Sequence, residues 1–201
     1  MSDNASEKMS NTTSIIEFRS KINVLKNKLI SALPRLKENQ YFTIMLYHEK
    51  LFWWNKKLSP ATKANIQEAQ EYIKRIFPEG NTDTFLALQK AFFLEDSKDF
   101  YKNYLNSVDT IILISDGLPT TGEHYITYTN NEIKAFTLSE EEKKGLQKKK
   151  IQETLKFLDV VTEMNRLRCI KIHTIGIPPD ALDDLLGGLA ADSLATYQYW
   201  E

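Results

Sequence analysis

Residues Val108 to Ser115 read VDTIILIS, and Asp116-Gly117-Leu118-Pro119 end the run at once. A short apolar run closed by a turn signal is the pattern of a strand buried on both faces. Working outward, Cys169 to Ile177 (CIKIHTIGI) repeats it before Pro178-Pro179, and Tyr41 to Tyr47 (YFTIMLY) precedes it. Leu51 to Trp54 (LFWW) is expected to return antiparallel across His48-Glu49-Lys50, and Thr196 to Trp200 (TYQYW) to make a last strand. Between these runs the apolar spacing becomes helical. Ile22, Leu25, Leu29, Ala32, Leu33 and Leu36 mark a helix from Ser20 to about Lys37. Ser59-Pro60 is read as the start of a second, whose face is Ile66, Ala69, Ile73 and Ile76. Phe85, Leu88 and Phe92 predict a third over Asp83 to Leu94, with Pro78-Glu79-Gly80-Asn81 punctuating the two. Ser139 with three following glutamates caps a fourth that runs toward Leu167, its KKGLQKKK run being a solvated face. Asp180 to Ala191 is a fifth.

Strands alternating with helices define an α/β class: a Rossmann-like, mostly parallel sheet with helices on both faces and one short antiparallel edge strand. Residues 1–19, rich in Ser, Asn and Thr, read as a polar loop, and 20–201 as the domain, with an insertion at about 120–150.

The composition narrows the function. The 201 residues suit one domain, since domains run roughly 100–200 residues. The 26 basic and 27 acidic side chains nearly cancel, so a broad nucleic-acid surface is not expected. A single cysteine, Cys169, excludes an internal disulfide framework, and three scattered histidines give little support to a His-based metal site. No apolar run approaches the ~18–20 residues of a membrane span. Met1 to Ser14 has no apolar core of a signal peptide, so with Met1 as the true start the chain reads as cytoplasmic.

Sites in parallel sheets lie beyond the C-terminal ends of the strands. Two segments converge there: Glu79-Gly80-Asn81-Thr82-Asp83, which opens a helix, and Ser115 to Thr120, which follows the most apolar strand. A hydroxyl and a carboxylate at one rim are hard oxygen donors suited to Mg²⁺, with Gly80 and Gly117 letting the backbone turn sharply. From spacing alone, a capping role for Thr82 and a plain turn at Asp116-Gly117 stay open. His124 is the one histidine within reach of this rim, and Tyr125 and Tyr128 on the same loop are candidate partner contacts. Trp53 and Trp54 are read as packing, His173 as a satisfied strand residue and Cys169 as a buried small hydrophobe.

LISDGLPTTG, PEGNTDTFLALQKA and NRLRCIKIHTIGI resemble pieces of the von Willebrand factor type A domain. YFTIMLY, then LFWW with Pro60 to Asn65, is similar to the stretch before the threonine loop in many bacterial members. The likeness covers roughly residues 20 to 200. It implies a metal-ion-dependent adhesion site in which Thr82 fills the second-loop position and Asp116 the third, around Mg²⁺ or Mn²⁺. Such an ion is left short of ligands and takes an acidic group from another protein.

The first loop departs from the family's D-x-S-x-S motif. Aligned on Met9 it offers Asn4, Ser6 and Lys8; anchored on Asp3 it offers Ala5 and Glu7; a third register ends the motif at Ser2 and Asn4. Asp3 and Ser6 are therefore the weaker metal candidates. The family's first strand, central in its sheet, has no counterpart before residue 20, and truncation is expected over decay of the site.

The resulting expectation is a protein-binding module of adhesion or scaffolding type, not an enzyme, with no membrane span. A Mg²⁺-dependent hydrolase or phosphoryl-transfer protein using Asp116 is the alternative from another class. Against it, the chain has no phosphate loop, D-x-D pair or nucleophile elbow. A regulatory type A domain of a larger assembly is the third reading.

Overall fold

The computed structural model describes residues 22–77, 80–94, 108–116, 118–126, 139–177 and 183–200. They form two compact units: one spans the described residues up to Ile44 and from Trp53 to 77, the other Met45–Phe52 and everything from Gly80.

In the first unit a helix, α1 (22–32), tightens into a 3₁₀ turn at Leu33–Arg35, short of the expected end at Lys37. Pro34 sits in the first turn of that segment and has no N–H to continue an α ladder. The expected single strand over Tyr41 to Tyr47 divides into β1 (Tyr41–Phe42) and β2 (Met45–Tyr47). Ser59-Pro60 does not start a helix. It forms β4 (Ser59–Pro60), antiparallel to β1 with Tyr41 opposite Pro60. Proline is tolerated on an edge strand because no ladder donor is required there. The helix starts later, as α2 (Lys63–Lys74), where the Thr62 side chain accepts from the Asn65 N–H at 3.2 Å. Ala69 and Ile73 are its buried face. Gln70 ties it to α1 by donating to the Ile30 carbonyl at 2.9 Å. Trp54 stacks on Phe42 with ring centroids 4.9 Å apart, the packing role expected for it.

The second unit carries the larger core. The turn after β2 leads into β3 (Leu51–Trp53), which pairs with β2 and whose Leu51 and Phe52 belong to this unit. Three further strands, β5 (Thr110–Ser115), β6 (Lys171–Gly176) and β7 (Tyr197–Tyr199), make a parallel sheet in the order β5-β6-β7. β5 and β6 run in full register from Thr110 opposite Lys171 to Ser115 opposite Gly176. Among the described residues β5 has a ladder partner on the β6 side alone, and Ile112 on it is 62% exposed.

Three helices cover this unit's core: α3 (Thr84–Phe92), α4 (Glu140–Asn165) and α5 (Asp183–Asp192). Phe85, Leu88 and Phe92 from α3, Phe157 and Val161 from α4, and Leu185, Leu186 and Leu189 from α5 close on Leu113, Ile170 and Ile172. Each such fully buried side chain is worth about 1.5–3 kcal/mol relative to exposure. The Ser139 cap is present as a reciprocal pair with Glu142, and those hydrogen bonds hold the Glu142 carboxyl below its usual range. The first turns of α4, with the lysine run, face solvent.

Candidate functional site

The rim at the C-terminal end of β5 is assembled from three chain segments of the second unit. The first is the end of β2. Its Tyr47 phenol lies against Ser115, which hydrogen-bonds it, and against the Thr84 hydroxyl. Burial pushes that phenol up, the neighbouring hydroxyls pull it back, and the negative charge of Asp116 adds to the rise. Asp116 itself is exposed, one residue beyond the strand.

The second segment is the turn before α3. Gly80 adopts φ +81°, the left-handed region that favours glycine, as the turn chemistry requires. Asn81 donates to the Glu49 carboxylate at 2.6 Å, and the Asp83 N–H donates to the His48 carbonyl at 3.2 Å. The helix cap is Asp83, whose Oδ1 accepts from the Leu86 N–H at 2.9 Å. Thr82 is thus not the cap. Among the described residues nothing is hydrogen-bonded to its hydroxyl.

The third segment is the loop after Asp116. Thr120 and Thr121 donate their N–H groups to the Thr82 carbonyl at 2.9 and 3.2 Å, and Thr120 Oγ1 accepts from the Thr82 N–H at 3.0 Å. Leu118, Pro119 and Ile126 are buried. The His124 ring packs edge-on against Phe85, with centroids 4.3 Å apart, so its contact is with the core. Tyr125 is exposed. Gly117, Tyr128, Asp3 and Ser6 lie outside the described residues.

Two hydroxyls are left over. Thr84 Oγ1 and Thr121 Oγ1 are buried and make no hydrogen bond among the described residues. The Thr84 oxygen stands close enough to bias the Tyr47 phenol, yet the geometry of an ordinary hydrogen bond is not met. A buried hydroxyl without a partner costs free energy and signals capacity for a water, an ion or a ligand group.

With Asp83 engaged as the helix cap and Glu49 bonded to Asn81, the candidate donors are hydroxyls and the Asp116 carboxylate, the hard-oxygen chemistry of Mg²⁺ or Mn²⁺. Among the described residues no three of His, Cys, Asp or Glu stand together as a metal-binding group. A cation held here by Thr82 and Asp116 would complete its shell with water and an outside oxygen. The donor types fit such an ion.

The other residues singled out in the sequence stand elsewhere. His173 is held in place by Thr196, whose N–H donates to His173 Nδ1 at 3.2 Å. Cys169 is exposed, against expectation. It precedes β6 at φ +54° in the turn where α4 ends, its N–H donating to the Asn165 carbonyl at 2.9 Å, and the buried run begins one residue later at Ile170.

No protein-family model matches the sequence. Of the curated proteins it resembles, inter-alpha-trypsin inhibitor heavy chain H2 of Homo sapiens is 33% identical over 103 residues, 51% of this chain. Heavy chain H1 of Mesocricetus auratus is 28% identical over 104 residues. The match is a small part of those proteins, 11% of the length in both cases. Among solved structures, a von Willebrand factor type A protein from Catenulispora acidiphila superposes with a TM-score of 0.65 at 16% identity. That superposition covers 94% of this chain and 36% of the other. Proximal thread matrix protein 1 from the mussel byssus, whose structure has a zinc-occupied MIDAS motif, gives 0.54 at 13% identity, over 88% and 36%. The parallel sheet, the covering helices and these likenesses agree with the motifs in the sequence: the chain has the fold of a von Willebrand factor type A domain.

Proposed function

We propose that this chain is a protein-binding module whose rim uses a divalent cation, Mg²⁺ or Mn²⁺, held by Thr82 and Asp116, to bridge to an acidic side chain of another protein. The observation that carries the reading is the division of labour in the turn before α3: Asp83 takes the cap, and the Thr82 hydroxyl stays uncommitted among the described residues. Asp116, exposed and one residue past Ser115, whose hydroxyl bonds the Tyr47 phenol, supplies the charge. The zinc-occupied motif of the mussel protein supports divalent binding on this fold in general. The bound ion would supply an electrophilic centre for a carboxylate; the chain's own residues orient it, and no bond is broken.

Calorimetric titration of Mn²⁺ and Mg²⁺ into the full chain tests this. Binding that is abolished in both Thr82→Ala and Asp116→Ala upholds it, and absence of heat in the parent chain overturns it. Phosphatase and esterase assays with Mg²⁺ separate it from the hydrolase reading: turnover lost in Asp116→Ala would favour the enzyme.

A further inference from the structure

The loop that follows Asp116 grips the turn that carries Thr82. Three backbone-directed hydrogen bonds join them: the Thr82 N–H to Thr120 Oγ1 at 3.0 Å, and the Thr120 and Thr121 N–H groups to the Thr82 carbonyl at 2.9 and 3.2 Å. The loop is closed on itself by the Ile126 N–H, which donates to the Pro119 carbonyl at 2.9 Å. Pro119 and Ile126 are buried, so the closure is anchored in the core. On the far side of the grip Gly122 sits at φ +96°, where a methyl group would overlap the Asp83 carboxylate. That carboxylate is itself fixed by capping α3.

We infer that Thr120 and Gly122 are positioning residues of this rim: they lock the Thr82 turn to the Asp116 loop, so the two sides hold a fixed spacing before any ion arrives. The inference rests on the reading of the rim as a cation site, and deepens it, since neither residue is offered as a ligand. The physical reason is preorganisation. Mg²⁺ demands near-octahedral oxygen positions at ~2.0–2.1 Å. Two donors on separate crossovers meet that demand cheaply only if their relative motion is already removed. Thr120 is suited to the task because one residue supplies both an acceptor, Oγ1, to the Thr82 N–H and a donor, its N–H, to the Thr82 carbonyl. Gly122 is suited because its missing side chain lets the loop lie against the Asp83 cap.

The test uses the full chain with Thr120→Val, which keeps the shape and removes the acceptor, and Thr120→Ser, which restores it. Amide hydrogen exchange at Thr82, followed by NMR, reads the lock directly and needs no metal. The Thr82 N–H should exchange about tenfold faster in Thr120→Val and as in the parent in Thr120→Ser. Mn²⁺ titration reads the consequence: affinity about tenfold weaker in Thr120→Val and recovered in Thr120→Ser. Equal exchange at Thr82 in the parent and Thr120→Val would overturn the lock. Faster exchange with undiminished Mn²⁺ affinity would overturn the positioning role. A parent chain that binds no Mn²⁺ would sink the cation reading alone, with the exchange arm still deciding the lock.

Discussion

The two ends of the second unit's sheet solve the same problem in opposite ways. At the rim beyond β5 the left-handed positions are filled by glycines, Gly80 and Gly122, and two buried hydroxyls, Thr84 and Thr121, have no bonding partner among the described residues. At the entrance to β6 the left-handed positions are filled by Cys169 at φ +54° and Leu194 at φ +55°. There the polar side chains are spoken for. The Asn165 amide donates to the Ile170 carbonyl at 2.7 Å and accepts from the Ile170 N–H at 2.8 Å. Ser193 Oγ accepts from the Ile172 N–H at 3.0 Å, and Arg168 donates to the Phe92 carbonyl at 2.7 Å while lying over the Phe93 ring. A groove of about 350 Å³ opens at this second end, lined by Val161, Ile172, Leu189 and Leu194. Concavity alone does not make a site. The end with spare hydrogen-bonding capacity is the rim; the groove is the space left where two helices stop.

The comparison breaks most easily at Asn165. Asn165→Ala strips both partners from the backbone of Ile170, which is fully buried, and each orphaned group costs ~1–3 kcal/mol. Urea denaturation should show a loss of about 3 kcal/mol; a loss near zero would mean that this end is not structurally committed. Gly122→Ala is the corresponding insult at the rim. It forces a Cβ into the left-handed region and against the Asp83 carboxylate, for a cost of ~1–3 kcal/mol on the same assay. Thr84→Val carries the opposite sign. Thr84 is 1% exposed and its hydroxyl has no bonding partner among the described residues, so an isosteric apolar group should stabilise the metal-free chain by up to ~1 kcal/mol. A destabilised variant would reveal a partner for that oxygen and narrow the contrast between the two ends.

How far the sequence foretold this contrast depends on the range of the forces involved. β5 and β6 are legible because an apolar run closed by Asp-Gly or Pro-Pro is a local signal. So is the Ser139 cap, whose Glu142 partner lies three residues on. Ser59-Pro60 misleads for the same reason: the local pattern fits a helix start, while pairing with Tyr41 and Phe42, distant in sequence, makes it a strand. Cys169 was expected in the core because it begins an apolar run. It lies instead in the turn where α4 stops, bonded back to Asn165, and the buried run begins one residue later at Ile170. At the rim, Thr82 and Asp116 stand out by motif. Thr120 does not, since its role depends on a hydrogen bond spanning 38 residues of chain.

Leu194 provides the finest discrimination between the two ends. It follows α5, and the Ala195 N–H donates to the Ala190 carbonyl at 2.8 Å, a helix-ending hydrogen bond that reaches back over the left-handed residue. Glycine is the usual occupant of that position because a Cβ there costs roughly 1–2 kcal/mol. Leu194 is 87% exposed, so little packing is forfeited by removing it. Against the relief of strain stands the greater chain entropy of glycine in the unfolded state, ~0.5–1 kcal/mol. Leu194→Gly should therefore stabilise the chain by up to ~1 kcal/mol, seen as a higher urea midpoint at unchanged slope. Destabilisation would mean that the Leu194 side chain at the mouth of the groove contributes packing that its exposure conceals.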